Sequence, residues 1–206
     1  IDEVTGDLLG ALADRERADL ITDFAVELPA LIISEMLGIP PQHRYDMLAA
    51  GEAGSALLDM GISWRQYRDA QGALRGADDF LDEHLAHLHD HPGDNILSAL
   101  VTGGQLSLLE LKYTAALLAG AGFETTVNLI GNGVVALSRH PDQLARLRDD
   151  PDLWPGAVEE ILRYDSPVQL TARKALQDTE IDGHTITSGS MITLLLGAAN
   201  RYPAVF

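Results

Sequence analysis

A long segment that is almost free of charged side chains constrains this fold more than any other feature. Between Lys112 and Arg139 the only charged residue is Glu124. The pattern predicts one continuous helix from Leu108 to about Arg139, roughly 48 Å long at about 1.5 Å per residue. A helix that is apolar on all sides either spans a membrane or forms the centre of a larger protein.

The start and the middle of this predicted helix favour the second interpretation. Ser107 and Glu110 have the spacing of a capping box, in which each side chain accepts a hydrogen bond from the other residue's backbone N–H. Glu124, Asn128 and Asn132 place polar groups at the middle of the helix, where a bilayer makes them costly. We therefore expect a central helix that is buried on all sides, with a membrane-spanning helix as the alternative.

The same helix contains residues that are locally unfavourable. It is interrupted by four glycines, Gly120, Gly122, Gly131 and Gly133. Each glycine costs about 1 kcal/mol relative to alanine, and a buried Glu124 adds a desolvation cost. One interpretation is a functional site, in which Gly122 lets a ligand approach the backbone while Glu124 and Thr125 relay protons beside Thr126. The other is a tight helix–helix crossing, and these residues alone do not decide between the two.

The composition excludes several classes of function. The 206 residues include 31 acidic and 14 basic ones, and the net charge of −17 argues against non-specific binding of nucleic acids. The absence of cysteine removes disulfides, thiolate zinc sites, cysteine nucleophiles and an axial thiolate ligand from this chain. The length suffices for one or two domains with a core.

Most of the remaining sequence also has a helical pattern. Residues 19–37 have an apolar period near 3.6, with a kink or break expected at Pro29 and an end at Gly38. Residues 42–90 predict two helices joined by a mobile connection near Met60-Gly61. The only concentration of histidines lies at the end of this range, at His84, His87, His89 and His91. On a helix the first, second and fourth of these would share a face, which is a geometry that a metal site can use. We favour a solvated helix end over that metal site.

The last part of the chain predicts shorter elements. Pro141 and Pro155 stand where the first turn of a helix tolerates proline. Asp182-Gly183 is a signal for a two-residue β-hairpin, and residues 191–196 are β-rich. The expected fold class is therefore mainly α, with helices over about 1–165 and a small β region over about 166–206.

Together the motifs resemble the cytochrome P450 family, and their order and spacing are similar to its soluble bacterial class. They are Ala121-Gly122-Phe123-Glu124-Thr125-Thr126, Glu160-Ile161-Leu162-Arg163, Thr171-Ala172-Arg173 and Ala199-Asn200-Arg201-Tyr202-Pro203. The resemblance covers the whole chain and implies a single partial P450 domain over residues 1–206. It also implies that residues 23–40 correspond to helix E, residues 42–90 to the F and G helices that roof the pocket, and residues 94–100 to the short helix before the central one.

The resemblance implies roles for individual residues. Ala121 and Gly122 correspond to the place where the family's central helix opens to leave room for dioxygen over the haem iron. Glu124 and Thr125 correspond to an acid–alcohol pair that delivers protons, and Arg173 to an arginine that binds a haem propionate.

Two further groups of residues receive roles in the same way. Glu160 and Arg163, whose i, i+3 spacing alone means little, correspond to the structural pair under the proximal side of the haem. The positions expected to face substrate are Leu117, Phe123, Val168, Gln169 and Leu170. The family's haem ligand is a cysteine in a glycine-rich loop that would follow Phe206, so no metal ligand is expected in this chain.

We therefore expect an internal piece, roughly the middle half, of a haem–thiolate monooxygenase that inserts one oxygen atom from O2 into an organic substrate. The resemblance implies haem b (iron protoporphyrin IX) and electrons from NAD(P)H through a ferredoxin and its reductase. It also implies a cytoplasmic enzyme with no membrane or nucleic-acid partner, and no signal peptide is visible at Ile1. The chain alone is expected to be inactive. The alternatives are a helical binding or interaction module without haem chemistry and a metal-binding protein built on the histidines.

Overall fold

The computed structural model describes residues 1–57 and 62–206, so the predicted connection at Met60-Gly61 lies outside the described residues. The chain divides into two compact units, residues 1–127 and 128–206. Helices dominate the described residues: α1 (Asp2–Ala13), α2 (Glu27–Leu37), α3 (Arg44–Ala56), α4 (Trp64–Asp90), α5 (Ile96–Gly103), α6 (Leu108–Arg139), α7 (Pro141–Asp149), α8 (Trp154–Tyr164) and α9 (Leu196–Ala199).

The strands belong to the second unit and confirm the small β region. They are β1 (Thr171–Lys174), β2 (Thr179–Ile181), β3 (His184–Ile186) and β4 (Met191–Leu194). β1 pairs antiparallel with β4, and β2 pairs antiparallel with β3 across Asp182 and Gly183. These two turn residues have φ of 49° and 75°, as the predicted hairpin requires. The β-rich pattern covers residues 191–196, but strand β4 ends at Leu194 and helix α9 begins at Leu196.

The break expected near Pro29 lies before the proline. Residues Ile21–Ala25 form a π-helical turn, in which the N–H of Val26 donates to the Ile21 carbonyl, and α2 then begins at Glu27. Pro29 therefore stands in the first turn of α2, the part of a helix that tolerates proline. Gly38 ends α2 in the left-handed conformation, with φ of 63°.

The core of the first unit joins helices α2 to α6. Its buried side chains include Leu37, Leu81, Leu85, Leu97 and Leu111. Two polar contacts pin α4 to this core. The Nε2–H of buried His84 donates to the Leu37 carbonyl at 2.9 Å, and Lys112 Nζ lies 2.6 Å from Asp78 and 2.9 Å from Asp82.

Helix α6 has the bounds that the charge-free segment predicts, and the capping box at its start is present. The Glu110 carboxylate accepts from the Ser107 N–H at 2.8 Å, and Ser107 Oγ accepts from the Glu110 N–H. Ala115 and Ala119 are fully or almost fully buried, whereas Tyr113 and Leu117 are each 67% exposed. Within this chain, the expectation of burial on all sides is therefore met on one face of the helix only. None of the helices in the described ranges is long and apolar enough to cross a membrane.

Candidate functional site

The centre of α6 holds the predicted acid–alcohol pair. The Thr125 hydroxyl donates to the Ala121 carbonyl at 2.8 Å, and the Thr126 hydroxyl donates to the Gly122 carbonyl at the same distance. This i−4 bond fixes the hydroxyl hydrogen and leaves the oxygen able to accept another hydrogen bond. Helix α6 is α-helical throughout, including at Ala121 and Gly122, where the resemblance implied an opening.

Helical geometry brings three of the predicted residues onto one side of α6. Leu117, Ala121 and Glu124 recur at four- and three-residue intervals and are all exposed. Thr125 lies beside them, half-buried. Phe123, which was also expected to face substrate, is half-buried and packs against the core of this unit, and its role towards substrate stays a prediction. The exposed face defined by residues 117, 121 and 124 is open to a ligand.

Three glycines of α6, at positions 120, 122 and 133, lie where another helix packs closely against α6. A Cβ on Gly51 of α3 would lie 3.0 Å from the Gly120 Cα, so the two helices meet backbone to backbone. A Cβ on Gly122 would lie 3.2 Å from Ile33 Cδ1, and one on Gly133 would lie 3.3 Å from Ile161 Cδ1. The tight-crossing interpretation thus holds at these positions, and at Gly122 the missing side chain makes room for α2.

An apolar cleft of about 410 Å³ lies between α2 and α6, and the sequence interpretation did not include it. It is lined from α2 by residues that include Leu28, Ile32 and Met36, and from α6 by Leu117 and Ala121. The apolar residues that α2 contributes to the cleft recur with the helical period, so this period was the one signal of an apolar face on α2 in the sequence. Which neighbour they face is set by the crossing of α2 with α6, and no local pattern encodes that crossing.

Glu160 and Arg163 form the predicted pair on α8. The guanidinium grips the carboxylate through two hydrogen bonds, Nε to Oε2 at 2.7 Å and Nη2 to Oε1 at 2.5 Å, and its third nitrogen, Nη1, donates to the Asn200 carbonyl. The hydrogen bond from Arg163 lowers the pKa of the Glu160 carboxyl, and the same bond raises the pKa of Arg163. The Phe206 ring lies 4.6 Å from the guanidinium carbon. The pair therefore ties α8 to the segment after α9.

The same segment has a second tie to α8, which the motif in the sequence did not reveal. Arg201 Nε donates to the Tyr164 carbonyl at 2.6 Å, and the Arg201 guanidinium stacks on the Tyr164 ring. Asn200 also donates to Ser166 Oγ at 2.8 Å. The partners are 34 to 37 residues apart in sequence, so only the fold identifies them.

The remaining predicted residues lie between α8 and β1. Val168 and Leu170 are each nearly half exposed. Gln169 makes two bonds, in which its carbonyl accepts from the Gly197 N–H at 3.0 Å and its side-chain amide donates to the Ser166 carbonyl. Arg173 is exposed and donates to the Thr171 hydroxyl and the Ala172 carbonyl, and it has no ion pair within the described ranges.

Each of the two units contains residues whose chemistry fits a haem group. Arg173 is a guanidinium without a carboxylate partner among the residues described, which is the donor that a propionate requires. The exposed face of α6 offers a hydroxyl and a carboxylate without a bulky side chain at Ala121. The axial thiolate is different: the chain has no cysteine, and the described residues contain no group of three or more His, Asp or Glu able to hold a metal ion.

The histidine concentration is not such a group. His84 is buried in the core, while His87, His89 and His91 are exposed, and the rings of His87 and His91 stack at 4.9 Å. Desolvation lowers the pKa of His84, and the nearby His87 and His43 lower it further against the opposing effect of the Leu37 hydrogen bond. The solvated-end interpretation therefore describes three of the four histidines, and His84 is a core residue.

Comparison with known proteins places the motifs in a family. The sequence profile of the cytochrome P450 family matches residues 55–206. Over the whole chain the sequence is 44% identical to cytochrome P450 140 of Mycobacterium tuberculosis, of which it covers 49%, and 38% identical to the biotin biosynthesis cytochrome P450 of Bacillus subtilis, of which it covers 53%. The chain thus spans about half the length of the curated relatives it matches.

Solved structures agree with the sequence relatives. The crystal structure of P450BioI in complex with an acyl carrier protein ligated to hexadec-9Z-enoic acid superposes with a TM-score of 0.95 at 38% identity, covering 99% of this chain and 54% of that one. The structure of CalO2 superposes with a TM-score of 0.89 at 30% identity over the same share of this chain. The chain belongs to the cytochrome P450 family.

Proposed function

We propose that this chain is the oxygen- and substrate-binding part of a haem–thiolate monooxygenase that inserts one oxygen atom from O2 into a small organic substrate. The observation that carries the proposal is the acid–alcohol pair on the exposed face of α6, where the Thr125 hydroxyl is held by the Ala121 carbonyl beside Glu124. A helix that served only packing would have no use for this pair.

The Thr125 hydroxyl has the position of a fixed proton relay. The hydroxyl donates a hydrogen bond to the Ala121 carbonyl of its own helix at 2.8 Å, and this bond fixes the side-chain rotamer. The hydroxyl oxygen is therefore already oriented to accept a hydrogen bond from a proton donor. Glu124 is exposed at the next position and can exchange protons with solvent. In this proposal Glu124 takes protons from water and Thr125 holds the chain of hydrogen bonds that passes them inward.

The cofactor in this proposal is haem b, which supplies the oxygen-activating redox chemistry when it is held by a cysteine thiolate. Arg173 would bind a propionate, and Ala121 and Gly122 would lie over the distal face. Glu160 and Arg163 keep the segment that begins at Asn200 in place. Electrons would come from NAD(P)H through a ferredoxin-type partner, in the cytoplasm.

The substrate in this proposal is predominantly apolar. The cleft between α2 and α6 is lined by leucine, isoleucine and methionine side chains, and the exposed Leu117 lies at its edge. Relatives of this chain include a vitamin D(3) 25-hydroxylase of Pseudonocardia autotrophica and a 6-deoxyerythronolide B hydroxylase of Saccharopolyspora erythraea. The further residues proposed to face substrate are Phe123, Val168, Gln169 and Leu170.

Haem retention in the complete enzyme tests this proposal. Arg173→Ala should lower the haem content of the purified enzyme, because a propionate loses a charge-assisted partner. Lys174→Ala, which removes an adjacent cation from the same strand, is the matched control and should retain haem. The unmodified enzyme should give the carbon-monoxide difference band of thiolate-ligated ferrous haem. An enzyme with no haem and no such band would support the helical binding module instead.

A further inference from the structure

The first half of α4 concentrates positive charge on one exposed face. Arg65, Arg68 and Arg75 stand at intervals of three and seven residues, which places them within an arc of about 80° at about 100° per residue. All three are exposed. Gly72 lies on the same arc, and nothing stands within 4 Å of the position of its absent Cβ, so the surface between Arg68 and Arg75 is flat and open.

These charges are largely unneutralised in a chain whose net charge is −17. Arg65 has one loose contact with Asp69, at 3.8 Å and with both side chains more than 70% exposed. Neither Arg68 nor Arg75 has an ion pair with any residue in the described ranges 1–57 and 62–206. Two exposed guanidinium groups with no ion pair in the described ranges, beside a third that has only this loose one, favour an external anionic partner.

Aromatic side chains accompany the arginines. Trp64 is 70% exposed and Tyr67 is 40% exposed, and their rings stack 5.2 Å apart at an angle of 16°. Exposed tryptophan is costly in water, and tryptophan, tyrosine and arginine are the residues most enriched at the energetic centres of protein interfaces. The pair lies beside Arg65 and Arg68, so apolar and charged contacts are offered together.

The size of this surface limits the partner. It runs from residue 64 to residue 75, about 17 Å along the helix, and is followed by an acidic stretch, Asp78, Asp79, Asp82 and Glu83. A small protein contacts about 800 Å² of its partner and can sit on the basic part alone. An anionic membrane is a plane that would also meet the neighbouring carboxylates.

We propose that the Trp64–Arg75 face of α4 docks a small acidic carrier protein that presents a covalently attached acyl chain. The inference rests on the proposed monooxygenase function and adds its partner. The second half of α4 packs in the same core as α6, through Leu81 and Leu85 against Leu111, so the docking face belongs to the same unit as the apolar cleft. P450BioI, of the same fold, binds an acyl carrier protein loaded with a sixteen-carbon acid, and charge complementarity supports such a partner here.

The test is a titration of the haem-loaded complete enzyme against dye-labelled acyl carrier protein carrying hexadec-9Z-enoic acid, followed by fluorescence anisotropy. Binding should weaken as salt rises, because exposed charges are screened. The triple variant R65E/R68E/R75E should raise Kd at least tenfold, and the milder R65Q/R68Q/R75Q should raise it by a smaller factor. R139E/R146E/R148E, which changes net charge equally on exposed residues of the other unit, should change Kd less than twofold.

Three results would overturn the docking surface. The first is an equal loss of carrier binding in R65E/R68E/R75E and in R139E/R146E/R148E. The others are binding of phosphatidylserine vesicles but not of the carrier protein, and binding of the free acid as tightly as the loaded carrier. Thermal melts of each variant check that it is folded. The readout needs neither turnover nor the carbon-monoxide band. An enzyme that binds the carrier but lacks that band contradicts the proposed function, whereas one that has the band but ignores the carrier contradicts the docking surface.

Discussion

Gly51 and Gly120 bring α3 and α6 into backbone contact, with the position of a Gly51 Cβ only 3.0 Å from the Gly120 Cα. Helix propensity alone favours alanine over glycine by about 1 kcal/mol. At this crossing the added methyl has to displace backbone, and overpacking of this kind costs about 1–3 kcal/mol. Helix propensity alone would predict that alanine at position 51 stabilises the fold, but because of this contact we expect it to destabilise the fold.

Gly51→Ala should lower the free energy of unfolding measured by urea denaturation. Gly72→Ala on α4 is the matched control, because nothing lies within 4 Å of its added methyl. It should raise stability by up to about 1 kcal/mol. Equal effects of the two substitutions would mean that α3 and α6 do not meet at this point.

His84 should make stability depend on pH. Because desolvation lowers its pKa in the folded state, the unfolded chain takes up the proton first as the pH falls. The stabilisation is complete above the ordinary histidine pKa of about 6.5 and is lost as the pH falls through that value towards the lower folded pKa. His84→Gln, which keeps a donor for the Leu37 carbonyl, should flatten this dependence in denaturant titrations at several pH values.

Arg163→Lys should lower the melting temperature even though the charge is retained. A lysine cannot make the two parallel bonds to Glu160 and the third bond to the Asn200 carbonyl at once. Arg148→Lys on α7 is a charge-conserving control at an exposed arginine and should melt with the parent. If both variants melt alike, the Glu160–Arg163 pair contributes nothing beyond its charge.

Elements with a local cause could be predicted from the sequence. The Ser107–Glu110 capping box gave the start of α6, Gly38 the end of α2, and Asp182-Gly183 the hairpin, because each depends on residues within one turn. The π turn before α2 and the limited burial of α6 could not be predicted, since they depend on packing. The contacts of Lys112 with Asp78 and Asp82, and of Arg163 with Asn200, join residues about 30 or more positions apart and were invisible for the same reason.

The candidate site divides in the same way. The helical period places Leu117, Ala121 and Glu124 on one face of α6, and this arrangement could be predicted from the sequence. The resemblance assigns Phe123 to substrate by position, whereas the contact of its half-buried side chain with the core could not be predicted from the motif. The direction of Gly122 towards Ile33 likewise follows from the crossing of two helices, which no spacing within α6 encodes.

Glu124→Gln should slow turnover of the complete enzyme by about 10²–10⁴-fold, because an amide cannot cycle protons in from solvent. Substrate binding should be nearly unchanged, since the two side chains have the same shape. Glu124→Asp, which keeps the carboxylate, should restore much of the rate. Turnover of the amide variant at the parent rate would remove Glu124 from the relay.

The central claim is that Thr125 holds a proton relay, and its neighbour provides an internal control. Thr125 and Thr126 each donate at 2.8 Å to the carbonyl four residues earlier, so replacing either with alanine removes the same local bond. The measurement is the ratio of product formed to NAD(P)H consumed, taken together with peroxide release. The account predicts that Thr125→Ala lowers this ratio and raises peroxide while haem and substrate still bind, and that Thr126→Ala stays close to the parent. Coupling in Thr125→Ala equal to that of the parent would contradict it and leave the threonines of α6 as packing residues.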